Sequence, residues 1–277
     1  MGFEARLSES ITKRFNRTFS YFYCDQLIPA VVAEQLVADF PVEELQTLCG
    51  NAAHATTSSE RNPELLARVL SASQVWAQAH EWFMSSAFIS DVLRTFEPEI
   101  LGRYPWFARI TLRRQILNPK RYYGQFQLAL RHHGSILSPH TDDADKVLAL
   151  IVYLPLPGTS ADAGGTAFYV PKSRSGERKV FGRYTRMGWL VPLSLRRLRN
   201  TKLPTFDSTE ASRLVSEDLQ FFDSHYARDF EAPYRLGAAG GFIKNQFSWH
   251  DLRLDSFATG GKRLSLLVNV MMRPSRL

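Results

Sequence analysis

A histidine and an aspartate two positions apart begin one of the most apolar segments of the chain, SPHTDDADKVLALIVYLPL. The two residues are His140 and Asp142, and in an extended strand such residues project from the same face. Side chains placed in this way can bind one cation from one side. A His-x-Asp pair alone is weak evidence for a metal site, because the same pattern often arises by chance at the end of a strand.

A third metal ligand is available at the end of a later predicted strand, FIKNQFSWH, whose last residue is His250. Two neutral imidazoles and one carboxylate form the facial triad that binds non-haem iron(II) and leaves coordination positions open. We therefore predict that His140, Asp142 and His250 hold one metal ion and are catalytic. The other histidines lack an acidic residue two positions later on a predicted strand, and they are His54, His80, His132, His133 and His225.

An arginine and a serine lie on one face of the last predicted strand, KRLSLLVNV. The guanidinium of Arg263 is a forked, permanently charged donor for a carboxylate, and the Ser265 hydroxyl can share that carboxylate. A strand-edge arginine is more often solvated, but this strand is otherwise apolar, which favours a buried position. The pair therefore adds a carboxylate-binding function to the predicted metal site.

Taken together, these motifs resemble those of the 2-oxoglutarate- and iron(II)-dependent dioxygenases, in particular the branch similar to prolyl hydroxylases. The likeness covers residues 105–172 and 238–272. Its segments occur in the order known for the family, and they are HTD at 140–142, YLP at 153–155, GGTAFY at 164–169, GGF at 240–242, SWH at 248–250 and RLS at 263–265. Two spacings depart from the family pattern, since both Asp142 and Arg263 are farther from His250 than is usual.

The resemblance implies a double-stranded β-helix, a cupin-like jelly roll, with Fe(II) inside its mouth. It also implies 2-oxoglutarate and O2 as cosubstrates, with ascorbate supporting activity. Arg263 matches the residue that pairs with the distal carboxylate of 2-oxoglutarate, and Ser265 matches its helper. Family members often add a polar side chain from a neighbouring strand, for which Tyr153 and Gln127 are the predicted residues. Tyr123 and Gln125 are alternatives, and core packing or cross-strand pairing is the other interpretation of all four.

Two kinds of secondary-structure pattern divide the chain into parts of a single domain. Residues 1–104 are predicted to be mostly helical, because apolar residues recur three and four positions apart. Residues 105–171 and 236–277 contain short β-rich runs such as FARITLRRQIL and KVLALIVYLPL, which predict the β-helix core. Residues 172–235 form a charged insertion between them. We expect a mainly β domain with flanking helices, in which an N-terminal helical layer packs on the jelly roll.

The composition is typical of a folded protein, since 44% of the 277 residues are hydrophobic and 22% are charged. The chain has no apolar run long enough to cross a membrane, and its first residues lack the apolar core of a signal peptide. Cys24 and Cys49 are too few for a disulfide framework and are expected to be free thiols. We predict a cytoplasmic protein.

The positive charge of the chain is concentrated in one segment. Lys172–Lys202 contains ten basic residues and one acid, a charge of +9, so the rest of the chain sums to −2 within the net +7. Three interpretations stay open: a solvated structural flap, a surface that recognises an acidic substrate, and a peripheral contact with an anionic membrane. Nucleic acid is disfavoured as a partner, because no stacking platform or base-flipping element is evident.

We predict an enzyme that hydroxylates an unactivated C–H bond of a small or carrier-bound, acidic substrate and releases succinate and CO2. Desaturation and cyclisation are alternative outcomes of the same chemistry. The alternative substrate class is a peptide or protein, as the likeness to prolyl hydroxylases suggests. The alternative outside enzymes is a jelly-roll binding module or sensor without catalysis. No oligomeric state is predicted.

Overall fold

The computed structural model describes residues 6–49, 54–132, 136–143, 145–159, 161–184, 209–245, 247–253 and 261–273. Its strands are β1 (Lys13–Asn16), β2 (Ser20–Cys24), β3 (His54–Ser58), β4 (Tyr122–His132), β5 (Ile136–His140), β6 (Lys146–Tyr153), β7 (Ala161–Pro171), β8 (Tyr226–Tyr234), β9 (Ala239–Ile243), β10 (His250–Arg253) and β11 (Lys262–Met272).

The helices lie mainly before the long strands. They are α1 (Leu7–Ser10), α2 (Ala30–Ala38), α3 (Val42–Cys49), α4 (Pro63–Ala72), α5 (Gln74–Met84), α6 (Ser86–Thr95), α7 (Glu97–Gly102), α8 (Trp106–Thr111), α9 (Arg113–Ile116), α10 (Arg174–Tyr184) and α11 (Thr209–His225). A short 3-10 turn, Pro119–Arg121, leads into β4.

Two antiparallel sheets form the core. The larger sheet has the order β1-β2-β9-β6-β11-β4-β3, and the smaller has the order β5-β10-β7-β8. Several neighbouring strands, such as β2 and β9 or β4 and β11, are distant in sequence, because the chain passes repeatedly from one sheet to the other. This arrangement is the double-stranded β-helix, so the predicted fold class is confirmed.

The central strands of the larger sheet are buried on both faces. In β6, KVLALIVY, every residue after Lys146 is buried, which explains a continuous apolar run without alternation. The outer face packs against helices that begin at serine N-caps: Ser73 accepts from the Trp76 amide, and Ser85 accepts from the Phe88 amide. Trp76 and Phe88 are both buried in this layer, which fixes the helices against the sheet.

The inner faces of the two sheets enclose an aromatic cluster. Phe168 of the smaller sheet stacks on Tyr21 with ring centroids 4.8 Å apart, and it meets Phe242 edge-on at 6.0 Å. Tyr153 and Leu252 belong to the same buried cluster. These side chains hold the sheets at a fixed separation, and the metal ligands lie beside them.

The structure differs from the predicted division in three places. Residues 1–104 include the strands β1, β2 and β3, which extend the larger sheet. Residues 107–117, predicted as β-rich, form α8 and α9 instead. Residues 226–234, predicted as part of the insertion, form β8 and pair with β7.

Each difference has a local cause. The strands of the N-terminal part are four or five residues long, too short for a periodic signal to emerge. Pro105 caps α8, and the apolar residues of α8 and α9 that suggest a strand mostly face outward. The alternation in β8 is imperfect because its pairing with β7 contains register shifts.

The basic insertion is described only in part. Helix α10 covers Arg174–Tyr184, and residues 185–202 lie outside the described residues. Val180 of α10 and Phe222 of α11 pack with Trp249, which directly precedes His250. The first part of the insertion therefore supports the strand that carries a predicted metal ligand. Recognition of an acidic substrate or a membrane by residues 172–202 stays a prediction.

Two further predictions concern the cysteines and the absence of a membrane-spanning helix. Cys24 and Cys49 are both free and buried. Among the described helices, none is long and apolar enough to cross a membrane.

Candidate metal centre

Two paired strands of the smaller sheet bring the predicted histidines together. Strand β5 ends at His140, β10 begins at His250, and these two residues are direct partners in the antiparallel register. Their imidazole centroids lie 4.1 Å apart with an interplanar angle of 49°. Both histidines are buried, with 7% and 5% of their surface exposed.

Asp142 reaches the histidines through a turn rather than along a strand. The strand ends at His140, and Asp142 has a φ of 63°, in the left-handed region that few non-glycine residues adopt. The prediction that His140 and Asp142 share one face of an extended strand is therefore wrong in its mechanism. The two residues are brought together all the same, since the turn directs the carboxylate back towards the imidazoles. Strain of this kind is common at functional sites.

The three side chains form a compact donor set. The Oδ1 atom of Asp142 lies 3.2 Å from Nε2 of His140, and its Oδ2 lies 3.8 Å from Nε2 of His250. One ligand atom from each residue lies within 4.8 Å of the others. Two imidazole nitrogens and a carboxylate at these distances suit a divalent transition metal such as iron(II).

The His250 ring is held in a single orientation. Its Nδ1–H donates to the Ser248 carbonyl at 3.0 Å, so that its Nε2 lone pair is directed towards Asp142. The ring also packs against Phe242 with centroids 4.2 Å apart. Burial, followed by the proximity of His140, lowers the pKa of His250 to about 3. The imidazole is therefore neutral at physiological pH, as a metal ligand must be.

Lys146 contacts the metal-binding carboxylate directly, and sequence analysis did not identify it. Its ammonium lies 2.8 Å from Oδ2 of Asp142. Burial acts to raise the pKa of Asp142, but Lys146, His250 and His140 together outweigh it and hold that pKa well below its usual value. Asp142 is therefore an anion with Oδ2 occupied by Lys146 and Oδ1 facing His140.

Arg263 lies buried in the same cavity as the three metal ligands. Only 2% of its surface is exposed. Its Nε donates to the Gly164 carbonyl at 2.9 Å, and its Nη1 donates to the Ser265 hydroxyl at 3.4 Å. Its Nη2 is buried and has no hydrogen-bond partner within the parts of the chain that the structure describes. A buried cationic donor left in this way is unfavourable unless an anion accepts from it.

The glycine-rich motif GGTAFY explains how Arg263 is positioned. Gly164 has a φ of 90° at a register shift within β7, and its carbonyl accepts from Nε of Arg263. A Cβ on Gly165 would lie 2.1 Å from the Ala232 carbonyl oxygen, so only glycine allows this close approach of β7 to β8. The motif is thus required by backbone geometry and acts on the site through one hydrogen bond.

The predicted auxiliary residues fall into two groups. Gln127 lines the cavity that contains the metal ligands. Tyr153 packs its ring near Arg263, 5.4 Å from the guanidinium carbon, and its hydroxyl accepts from the Thr166 amide at 3.1 Å. Of the alternatives, Gln125 donates to Glu60 at 2.9 Å, and Tyr123 lies against Arg273. A direct contact from Gln127 or Tyr153 to 2-oxoglutarate stays a prediction.

One cavity of about 130 Å³ contains the metal ligands, Arg263 and Ser265 together. Sequence analysis missed five further polar residues that line it, which are Arg131, Lys146, Thr166, Asp251 and Asn269. Arg131 is the β4 partner of Arg263 in the sheet register. Burial and the neighbouring Arg263 lower the pKa of Arg131 to about 10. The signal for Arg131 is its register against β11, which requires the strand pairing to be known.

Comparison with known proteins finds similarity in structure. No family model matches the chain, and no curated protein sequence matches it significantly. A prolyl-4-hydroxylase from Pseudomonas putida is 11% identical, with a TM-score of 0.42, covering 92% of this chain and 94% of that chain. EvdO2 from Micromonospora carbonacea var. aurantiaca, complexed with 2-oxoglutarate, is 11% identical, with a TM-score of 0.42 and coverages of 93% and 88%.

The epimerase SnoN, in complex with Fe3+, alpha ketoglutarate and nogalamycin RO, is 12% identical, with a TM-score of 0.41. That alignment covers 93% of this chain and 82% of the SnoN chain. Likenesses at these identities and TM-scores are distant, so the function of this chain is inferred from its own residues.

Proposed function

We propose that the chain is an iron(II)- and 2-oxoglutarate-dependent oxygenase. The observation that carries this proposal is one cavity whose lining contains both a His-Asp-His donor set and a buried arginine with an unsatisfied donor. His140, Asp142 and His250 supply the donor set, and Nη2 of Arg263 supplies the unsatisfied donor. A facial triad leaves metal positions that a chelating ligand can fill, and a buried arginine favours a carboxylate. A keto acid satisfies both.

The residues present fit both groups. His140, Asp142 and His250 would hold iron(II), while Arg263 and Ser265 would bind the distal carboxylate of 2-oxoglutarate. With O2 as the oxidant, these groups would supply the chemistry that converts 2-oxoglutarate to succinate and CO2 and hydroxylates a C–H bond. The protein's own contribution is to bind, orient and exclude water.

Orientation depends on fixed hydrogen bonds around the ligands. The Ser248 carbonyl holds the His250 ring, and Lys146 holds one oxygen of Asp142, which leaves the other oxygen facing His140. Gly164 fixes the guanidinium of Arg263. These contacts preorganise the site before any ligand binds, which lowers the entropic penalty of assembling it.

The substrate that we propose is a small or carrier-bound molecule with an anionic group, hydroxylated at an unactivated C–H bond. Arg131 supports this substrate class. It lines the same cavity as Arg263 and gives a second guanidinium that one distal carboxylate does not require. Two guanidinium groups on one cavity give it a positive potential, which favours binding of an anionic substrate group.

The test is a two-step binding and turnover measurement on the whole chain. Iron(II) is titrated in the absence of oxygen, then 2-oxoglutarate is added, and both affinities are measured by calorimetry. Succinate release is then followed in air with ascorbate, against a panel of anionic and neutral substrates. We expect 2-oxoglutarate to bind only with metal present and succinate to form. A folded protein that binds neither iron(II) nor 2-oxoglutarate would refute the proposal.

A further inference from the structure

An apolar patch lies exposed on the short helices that follow the N-terminal helical layer. Its members are Trp106, Phe107, Ile110 and Leu112, here called the α8 patch, with 72%, 57%, 72% and 41% of their surface exposed. In the parts of the chain that the structure describes, only two other large apolar side chains are exposed, Val31 and Leu48. Four of these six exposed side chains therefore lie within seven consecutive residues.

The core does not require these side chains. In α8 only Ala108 is buried, and in α9 only Ile116 is buried. The Trp106 and Phe107 rings meet edge-on with centroids 6.3 Å apart and form a single projecting surface. Clustered exposed aromatics are unfavourable in water, and such patches usually mark an interaction surface.

The charged residues that surround the α8 patch in the sequence are all basic. Between Ile100 and Thr141 the sequence contains seven Lys or Arg residues and no Asp or Glu. Arg113, Arg114 and Lys120 follow the patch in the sequence and are exposed. Arg113 forms an ion pair with Glu97 of α7. A surface that combines exposed aromatics with an excess of cations fits an anionic, partly apolar partner.

A second cavity continues this basic surface towards the metal centre. It has a volume of about 360 Å³, and its lining includes Arg103, Arg109 and Lys244. Arg109 belongs to α8, so the cavity opens beside the α8 patch. The backbone amide of Lys244 donates to the Val147 carbonyl at 3.0 Å, and the preceding residue, Lys146, contacts Asp142, so this end of the cavity lies near the metal ligands.

We propose that the α8 patch binds the surface of a bilayer containing anionic lipids. Trp106, Phe107 and Ile110 would enter the boundary between headgroups and acyl chains, and Arg114 and Lys120 would lie over the anionic headgroups. The charge complementarity favours a lipid surface over a second copy of this chain, because two basic patches repel each other. The residues of the α8 patch do not belong to the basic insertion in the sequence, and the proposal does not depend on the proposed enzymatic function.

The experiment is co-sedimentation of the full chain with vesicles of phosphatidylcholine, with and without phosphatidylserine, at low and high salt. We expect binding only to the vesicles that contain phosphatidylserine, and weaker binding at high salt. Trp106→Ser and Phe107→Ser are each expected to lower the partition coefficient at least about tenfold, because each loses the burial of a large aromatic ring. Arg114→Gln with Lys120→Gln is expected to remove most of the salt dependence.

Matched controls separate the patch from general surface effects. Val31→Ser and Leu48→Ser each remove an exposed apolar side chain elsewhere, and both are expected to bind vesicles as the unaltered chain does. Circular dichroism and iron(II) affinity check that every variant is folded.

Three results would overturn the proposal. The first is no binding to phosphatidylserine vesicles at low salt. The second is loss of binding on replacing Arg196, Arg197 and Arg199 by Gln while the patch variants still bind, which would assign the contact to the insertion. The third is a dimer in solution that becomes a monomer in Phe107→Ser, which would show that a second copy covers the patch.

Discussion

His140 and His250 are register partners across β5 and β10, although 110 positions separate them in the sequence. This pairing joins the end of one strand to the start of another in the smaller sheet. It presents two imidazoles on one side and leaves the third ligand, Asp142, to arrive from a left-handed turn. The metal site is therefore as rigid as the pairing of these two strands.

Replacing Asp142 removes the anionic ligand. We expect Asp142→Ala to weaken iron(II) binding by more than about 100-fold and to abolish 2-oxoglutarate turnover, since loss of even an outer contact to a metal ligand weakens binding by about 10- to 100-fold. Asp142→Asn is the matched variant, because asparagine tolerates a positive φ and keeps the shape. Calorimetric titration with iron(II) measures both. Full activity in either variant would remove Asp142 from the ligand set.

Replacing the guanidinium of Arg263 by an ammonium tests the carboxylate site independently of the metal. We expect Arg263→Lys to weaken 2-oxoglutarate binding by about 10- to 100-fold, because a bidentate, charge-assisted contact becomes a single point charge. Iron(II) affinity is expected to stay unchanged. Ser265→Ala provides the graded comparison, with a loss of less than about tenfold. Equal losses of metal and 2-oxoglutarate binding would indicate a folding defect and contradict this assignment.

Lys146 is a positioning residue with a pH signature. Its ammonium helps keep the pKa of Asp142 low, so Lys146→Met is expected to raise that pKa in a buried environment. A protonated Asp142 does not bind metal. As the pH falls, the variant should therefore lose iron(II) binding at a higher pH than the unaltered chain does. Lys146→Arg should restore the original profile. The measurement is iron(II) affinity against pH; superimposable profiles for Met and Arg variants would refute the role.

The metal-free protein should become less stable as the pH falls below the ordinary pKa of histidine. In the folded chain the pKa of His250 is lowered to about 3, whereas in the unfolded chain it is about 6.5. Between these two pH values the unfolded chain therefore binds more protons than the folded chain. Stability is therefore fully present above about pH 6.5 and declines towards pH 3. Denaturant unfolding in chelator across this range measures the slope. His250→Gln should flatten it, and an unchanged slope would contradict the assignment.

Gly165 tests the contact between β7 and β8. We expect Gly165→Ala to lower the free energy of unfolding by about 1–3 kcal/mol, because its Cβ would overlap the Ala232 carbonyl. Gly102→Ala is the matched control: no heavy atom lies within 4 Å of its added Cβ. Urea unfolding of the metal-free proteins distinguishes them. Equal stability of the two variants would show that β7 shifts to accommodate the methyl group.

Sequence alone was enough to name the chemistry-bearing residues. Each of His140, Asp142, His250, Arg263 and Ser265 is weak evidence alone, and it is their presence together, in the order of the family motifs, that predicts a site. The structure brings all five to one cavity. The fold class was also predictable, because a helical part followed by short β-rich runs predicts helices packed on a jelly roll, and the resemblance to the dioxygenases implies the double-stranded β-helix.

Only the tertiary structure revealed Lys146, Arg131 and the α8 patch. Lys146 and Arg131 gain their meaning from a turn and from a strand register, which long-range contacts determine. Residues 107–117 resemble a strand in composition, and they form helices whose apolar side chains the core leaves uncovered. The physical reason is common to all three: local patterns report residue type and periodicity, whereas the pairing of distant strands decides which side chains meet and which stay exposed.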